Sequence, residues 1–282
     1  MYPINNITEH HFSKKPNEIV RLAGGDINDV YQVVFKKKSV VIKINDSQSV
    51  PKLFEIEKQG LELLSKSTFF VPKPIKIGSI DNLQYLIMDY IEQGSELNWA
   101  VFGAKLAQLH HMEGKYFGLD HNNYIGSLEQ INQEYEEWNE FYTNNRLLAL
   151  TAKARDQGLF EKKHCIWVEK LCQRLDELIP ACRPSLIHGD LWSGNLLIDT
   201  SGHPVLIDPA VYYGHPEMDW AMLSLFGSYP VEALDHYQNL QQLEKGLNER
   251  KDIHQLYPLM VHLILFGKGY LNGVESTLKK YA

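Results

Sequence analysis

Residues 19 to 45 carry short apolar runs rich in β-branched side chains, which predict strands. Ile19 to Leu22 leads into Ala23-Gly24-Gly25-Asp26, Val30 to Phe35 follows, Lys36-Lys37-Lys38 makes a charged turn, and Val40 to Ile44 closes the set. The period then changes. Leu53, Ile56, Leu61 and Leu64 recur at helical spacing and predict a helix over 51–65. Beyond the breaker Pro72-Lys73-Pro74, two more strands are predicted over 75–80 and 83–91, with a turn at Asp81-Asn82. From Ser95 on, helical periodicity dominates. Phe102, Leu106 and Leu109 are in phase across 99–110, an aromatic-heavy helix runs to Arg146, and 147–180 reads as a helical pair. Two or three further helices fill 231–281, with 256–266 apolar enough to be core. Strands first and helices afterwards indicate an α+β chain.

One stretch interrupts the helices. The apolar runs 196–198 and 205–207 flank Thr200-Ser201-Gly202-His203, the pattern of a hairpin. Asp190 and Asn195 precede the first run and Asp208 follows the second. Folding the hairpin can gather these oxygen-bearing side chains, and carboxylate and amide oxygens suit Mg²⁺ with its bound phosphates. The spacing His188-x-Asp190-x4-Asn195, a strand pair and then Asp208 is that of protein-kinase-like catalytic and metal loops. On the bland alternative, Asp190 and Asn195 only stabilise their own turn.

Upstream residues favour the chemical reading. Lys43 sits in the middle of an apolar strand, where a cation is either exposed or held by a carboxylate over a ligand. The second case requires a glutamate on the next helix, and Glu57 is the best placed. Gly24 and Gly25 can let backbone N–H groups approach phosphates, although an ordinary turn explains them equally well. Fold-level analogy puts a hinge near Gly94 and adenine against the backbone near Asp89 and Ile91. This divides the chain into a nucleotide-binding lobe, 1–91, and a helical catalytic and substrate lobe, 92–282.

Composition narrows the classes. The chain has 282 residues, 44% of them hydrophobic, and a formal net charge of −7. A large core is available, and there is no basic stripe for nucleic acid and no polybasic membrane patch. No apolar run reaches the roughly 18 residues a membrane span needs, and residues 1–6 lack a signal pattern. The three cysteines, Cys165, Cys172 and Cys182, are odd in number and clustered, which points to a reducing cytoplasm. No zinc-ligand spacing is found among the 12 histidines.

The chain resembles the fructosamine kinase (ketosamine-3-kinase) family of the protein-kinase-like fold, from about Val20 to near the C-terminus. The resemblance rests on the run from His188 through Gly189, Asp190, Leu191, Trp192, Ser193 and Gly194 to Asn195. It rests also on Asp208-Pro209-Ala210 with Tyr213-Gly214-His215, and on Trp138 through Phe141-Tyr142 to Arg146. It implies a bilobal fold, with a five-stranded antiparallel sheet plus helix before a mostly helical lobe. It implies ATP- and Mg²⁺-dependent phosphorylation of the 3-hydroxyl of ribulosamine, erythrulosamine or fructosamine adducts on amines or protein lysines. The phosphorylated adduct then falls off, so the activity is deglycation repair. Separately, the chain is expected to be a monomer. Two departures stand out. Asp26 occupies a position where some members carry a redox cysteine, and Asp89 replaces the usual glutamate.

In this reading Asp190 is the catalytic base, and Asn195 and Asp208 are metal ligands. Lys43 held by Glu57 contacts the phosphates, and Gly24 and Gly25 cover them. Trp192, Tyr213 and His215 face the substrate, the indole of Trp192 being suited to stack on the apolar face of a sugar. Asp219 is expected to be structural, capping its helix or bracing the catalytic loop, and His188 to order that loop. The rival readings are a small-molecule kinase of the aminoglycoside or choline type, and a nucleotide-binding regulator without catalysis. The intact set of Lys43, Asp190, Asn195 and Asp208 argues against the latter.

Overall fold

The structure, a computed structural model, describes residues 2–22 and 27–281. It divides into two compact units, one of residues 1–97 with 196–208, the other of residues 98–195 with 209–282.

The first unit is built on a five-stranded antiparallel sheet, as predicted. Helix α1 (Tyr2–Phe12) precedes β1 (Glu18–Arg21), β2 (Asp29–Val34) and β3 (Ser39–Asp46). Helix α2 (Leu53–Leu64) then leads to β4 (Pro74–Ile80) and β5 (Leu83–Asp89). The strand order is β1-β2-β3-β5-β4, so β3 lies at the centre. Strand periodicity sorts its residues. Val40, Ile42 and Ile44 pack with Ile4 and Ile7 of α1 in one apolar cluster, which turns Val41 and Lys43 to the opposite face. Helix α2 buries Leu53, Phe54, Glu57, Leu61 and Leu64, a stripe of helical spacing that includes one carboxylate.

The hairpin lies in this unit as well. Leu196–Ile198 pairs antiparallel with Pro204–Leu206. Its turn is held by Asp199, whose Oδ1 accepts from the backbone N–H of Ser201 at 2.8 Å and of His203 at 2.9 Å. Asp and Asn favour such turns because their side chains mimic a backbone acceptor. The Leu206 N–H donates to the Phe70 carbonyl.

The second unit is mostly helical. Helix α3 (Trp99–His110) starts at Asn98, whose side chain accepts from the Val101 N–H at 3.0 Å. The helix Leu247–Phe266 supplies Ile253, Leu256, Tyr257, Met260 and Val261 to the core. Phe266, expected in that core, is 47% exposed. Three features were not predicted. A short hairpin pairs Asn123–Ile125 with Leu128–Gln130. The chain is wound as a π-helix over Tyr142–Leu148. Within it Arg146 is fully buried, with Phe141, Tyr212 and Tyr257 rings 4.2 to 5.0 Å from its guanidinium. Such π turns occur often at functional sites. Among the described residues no helix is long and apolar enough to cross a membrane.

Candidate active site

Two groups of predicted residues form, one in each unit. In the first unit, Lys43 Nζ donates to Glu57 Oε1 at 2.6 Å and also to Asp208 Oδ1. Lys43 and Glu57 are 2% and 8% exposed, whereas the Asp208 side chain is 39% exposed. Burial acts to lower the Lys43 pKa, but the Asp208 and Glu57 carboxylates outweigh it and raise the value. The lysine therefore stays charged. Asp208 has a left-handed backbone, φ 53°, uncommon for a residue with a Cβ and a mark of sites under functional constraint. Asp89 is exposed and Ile91 half-buried, at and just beyond the end of β5. Gly24 and Gly25 lie outside the described residues.

In the second unit, Asn195 Nδ2 donates to Asp190 Oδ2 at 3.0 Å and to the Asp190 carbonyl at 2.9 Å. The amide nitrogen is thus engaged, which assigns the Asn195 oxygen as the remaining acceptor. The loop before Asp190 is tightly tied. Its Gly189 has φ 81°, and a Cβ there would lie 2.1 Å from the Ala210 carbonyl oxygen, so only glycine fits. The Asp190 N–H donates to His188 Nδ1 at 3.2 Å, and the Ala210 N–H to the His188 carbonyl at 3.0 Å.

Asp219 completes this brace. It does not cap its helix, Glu217–Leu223. Its two oxygens instead accept the N–H groups of His188 at 2.8 Å and Gly189 at 3.0 Å. His110 Nε2 approaches Asp219 Oδ2 at 3.2 Å, and its Nδ1 meets the Tyr237 hydroxyl at 2.8 Å. His110 carries no predicted role. The available signal was its phase, four residues past Leu106 on a buried stripe.

The predicted substrate-facing residues differ in burial. Trp192 is half-buried, and its indole lies so close over Gly194 that a Cβ there would meet it at 2.3 Å. Tyr213 is half-buried, its ring against Gly114. His215 is 2% exposed. It belongs to a buried cluster in which Arg250 donates to both Glu217 oxygens, at 3.0 and 2.5 Å, and His254 Nε2 lies 3.1 Å from Glu217 Oε2. Burial, with His254 nearby, pushes the His215 pKa down to about 3. Burial alone would raise the Glu217 pKa, but His254 and Arg250 hold it down to about 2. Possible ligand atoms of His215, Glu217 and His254 lie within 4.8 Å of one another. The guanidinium already neutralises the carboxylate, however, and both its oxygens are taken. We read the cluster as a closed ion pair rather than a metal site.

A buried lysine–glutamate pair with a partly exposed aspartate, and a braced Asp–Asn loop, are the parts of a kinase-like phosphotransferase. The comparisons with known proteins agree. The fructosamine kinase family model matches residues 2–282. A "Probable ketoamine kinase" of Lactiplantibacillus plantarum is 37% identical over 94% of each chain. The "Protein-ribulosamine 3-kinase, chloroplastic" of Arabidopsis thaliana is 35% identical over 94% of this chain and 82% of its own. A Thermobifida fusca crystal structure assigned as a fructosamine-3-kinase superposes with TM-score 0.86 at 30% identity, covering 99% and 98% of the two chains. An aminoglycoside phosphotransferase shares the fold, with TM-score 0.65 at 16% identity over 99% and 96%. The chain belongs to the fructosamine kinase family.

Proposed function

We propose that the protein is an ATP-dependent ketosamine 3-kinase acting on ribulosamine, erythrulosamine or fructosamine adducts of amines or protein lysines. The observation that carries this reading is the buried Lys43, clasped by Glu57 and by an Asp208 that remains partly exposed. A buried lysine held by two carboxylates, one of them open to solvent, is the arrangement that kinase-like sites use to place a lysine at nucleotide phosphates and a free carboxylate at the accompanying Mg²⁺. Family membership supplies the acceptor class.

In this assignment Lys43 binds the α- and β-phosphates, Gly24 and Gly25 cover them, and backbone groups near Asp89 and Ile91 receive the adenine. Asp208 and the Asn195 oxygen are hard donors and fit Mg²⁺. An ion held by these two residues would neutralise phosphate charge. Asp190 orients the 3-hydroxyl and accepts its proton as the oxygen bonds to the γ-phosphorus. The bond from that phosphorus to the β–γ bridging oxygen breaks, and ADP leaves. Trp192 and Tyr213 contact the sugar, and His215, enclosed in the Glu217 cluster, is given no contact with it. With three free thiols, the protein suits the reducing cytoplasm.

The test is ATP consumption against ribulosyl- and fructosyl-lysine, with mass detection of the phosphorylated product. Asp190→Ala is expected to abolish turnover while retaining ATP binding by calorimetry. Near-normal turnover in that variant rejects the assignment. Phosphorylation of aminoglycosides or choline but of no ketosamine favours the rival small-molecule kinase.

A further inference from the structure

A line of aromatic rings begins in the Asp190 loop and runs out over the second unit. Trp192, whose N–H donates to the Asp190 carbonyl at 3.1 Å, meets Phe226 edge-on with centroids 6.3 Å apart. Phe226 lies 4.9 Å from His262, and His262 lies 5.4 Å from Phe266 and 5.1 Å from Tyr270. Phe226 and Phe266 are 43% and 47% exposed. Large apolar rings left in water side by side mark a contact surface.

The ring at the centre has a defined character. His262 Nδ1 lies 2.7 Å from the Pro258 carbonyl, which can only accept, so Nδ1 carries the proton. Nε2 of the neutral ring is then an acceptor. Burial lowers the His262 pKa, the Pro258 carbonyl acting in the opposite sense, so neutrality is favoured. The strip therefore offers aromatic faces for a cation or an apolar group, and one acceptor for an N–H.

We propose that the strip from Trp192 through Phe226, His262 and Phe266 to Tyr270 is the subsite for the carrier amine of the ketosamine, selecting adducts whose carrier is aromatic or apolar. The assignment rests on the ketosamine reading above. The chemistry of the substrate commits the strip to this occupant. When the 3-hydroxyl lies at Asp190, only C3, C2 and C1 separate that oxygen from the nitrogen. The nitrogen, a secondary ammonium, must then sit beside the loop that bears Trp192, and its carrier must continue outward. The rings run outward from that same residue. Ribulosamines, erythrulosamines and fructosamines share the linkage and differ in the sugar, whereas this surface reads the other end of the molecule.

The experiment measures kcat and KM of the whole protein on two adducts of one sugar, ribulosyl-benzylamine and ribulosyl-methylamine. The wild type is expected to favour the benzylamine adduct about tenfold in kcat/KM, the scale of one aromatic contact. Phe226→Ala with Phe266→Ala is expected to erase that preference through KM, with kcat on the methylamine adduct within about twofold, since only truncation of exposed rings is involved. Equal use of both adducts by the wild type, or a preference that survives in the variant, overturns the strip while leaving the ketosamine reading intact. Turnover of neither adduct rejects the ketosamine reading and the strip with it. A concentration-dependent dimer lost in the variant, seen by sedimentation, means that a second copy covers the rings and also overturns the proposal.

Discussion

Two buried ion clusters, one in each unit, use similar side chains to opposite ends. In the first, Lys43 meets Glu57 and Asp208, and the Asp208 side chain is 39% exposed. In the second, Arg250 grips Glu217, with side chains 10% and 1% exposed, and His254 closes the remaining side. The first has one more carboxylate than cation and an open edge. The second has matched charges and every carboxylate oxygen occupied. Burying charge is expensive in either place. The closed cluster is repaid by internal pairing, whereas on the proposed assignment the open one is completed by a ligand. Exposure of a single carboxylate separates a site from a staple.

The sharpest way to break this comparison is to remove each cation and read both activity and stability. Lys43→Met is expected to lower kcat/KM at least about a hundredfold, the loss of a preorganised charge at transferring phosphates. Stability should fall as well, because Glu57, 8% exposed, loses its cation, but Asp208 can hydrate, and the loss of activity per folded molecule is expected to dominate. Steady-state kinetics together with chemical denaturation check both halves. A variant that keeps near-normal activity and loses its stability would make the two clusters equivalent.

Arg250→Met should behave in the reverse way. It strands Glu217 among His215 and His254, and breaking a buried pair from one side costs about 3–5 kcal/mol. Specific activity of the molecules that remain folded is expected to stay within a few-fold of wild type. Denaturant midpoints with unchanged slope would establish a pure stability effect.

Acid sharpens the contrast further. His215 has a folded pKa near 3, below its ordinary value of 6.5. The unfolded chain therefore takes up that proton first, and stability falls as pH drops from 6.5 toward 3. Glu217, held near 2 from 4.5, likewise contributes stability above pH 4.5 that is lost as pH falls toward 2. The closed cluster is thus expected to fail in acid in two stages. Replacing His215 with Gln should flatten the decline between pH 6.5 and 4.5 and leave the lower stage in place. Denaturation midpoints across that range test it, and identical profiles for the two proteins reject it.

Much of the open cluster was legible in the sequence, and little of the closed one. A lysine inside a β-branched strand, followed by a helix with glutamates, declares a partner on the next element, 14 residues on. The hairpin was equally plain, because Asp199 and Gly202 write its turn locally. Glu217 and Arg250 lie on different helices, and no local pattern joins them. The nearest signal was Arg250 and His254, four residues apart on one helix face and so neighbours in any fold. Arg146 was quoted in a motif, but periodicity could not foresee the π turn that buries it among rings. Local chemistry can be read forward, whereas pairing across the fold needs coordinates.

The smallest effect tests how far the brace behind Asp190 extends. Tyr237 reaches the loop through His110 and Asp219. Tyr237→Phe keeps the ring, which stacks edge-on with Trp220 at 5.2 Å, and removes only the hydroxyl. His110 then loses one buried hydrogen bond, worth about 1 kcal/mol. If the chain from Tyr237 to the His188 and Gly189 N–H groups fixes the loop, kcat should fall a few-fold with the KM for ATP unchanged, since the proposed assignment gives the nucleotide to the first unit. If Asp219 alone sets the loop, stability falls by that small amount and kcat does not move. The split between kcat and the melting temperature decides whether the brace ends at Asp219 or reaches Tyr237.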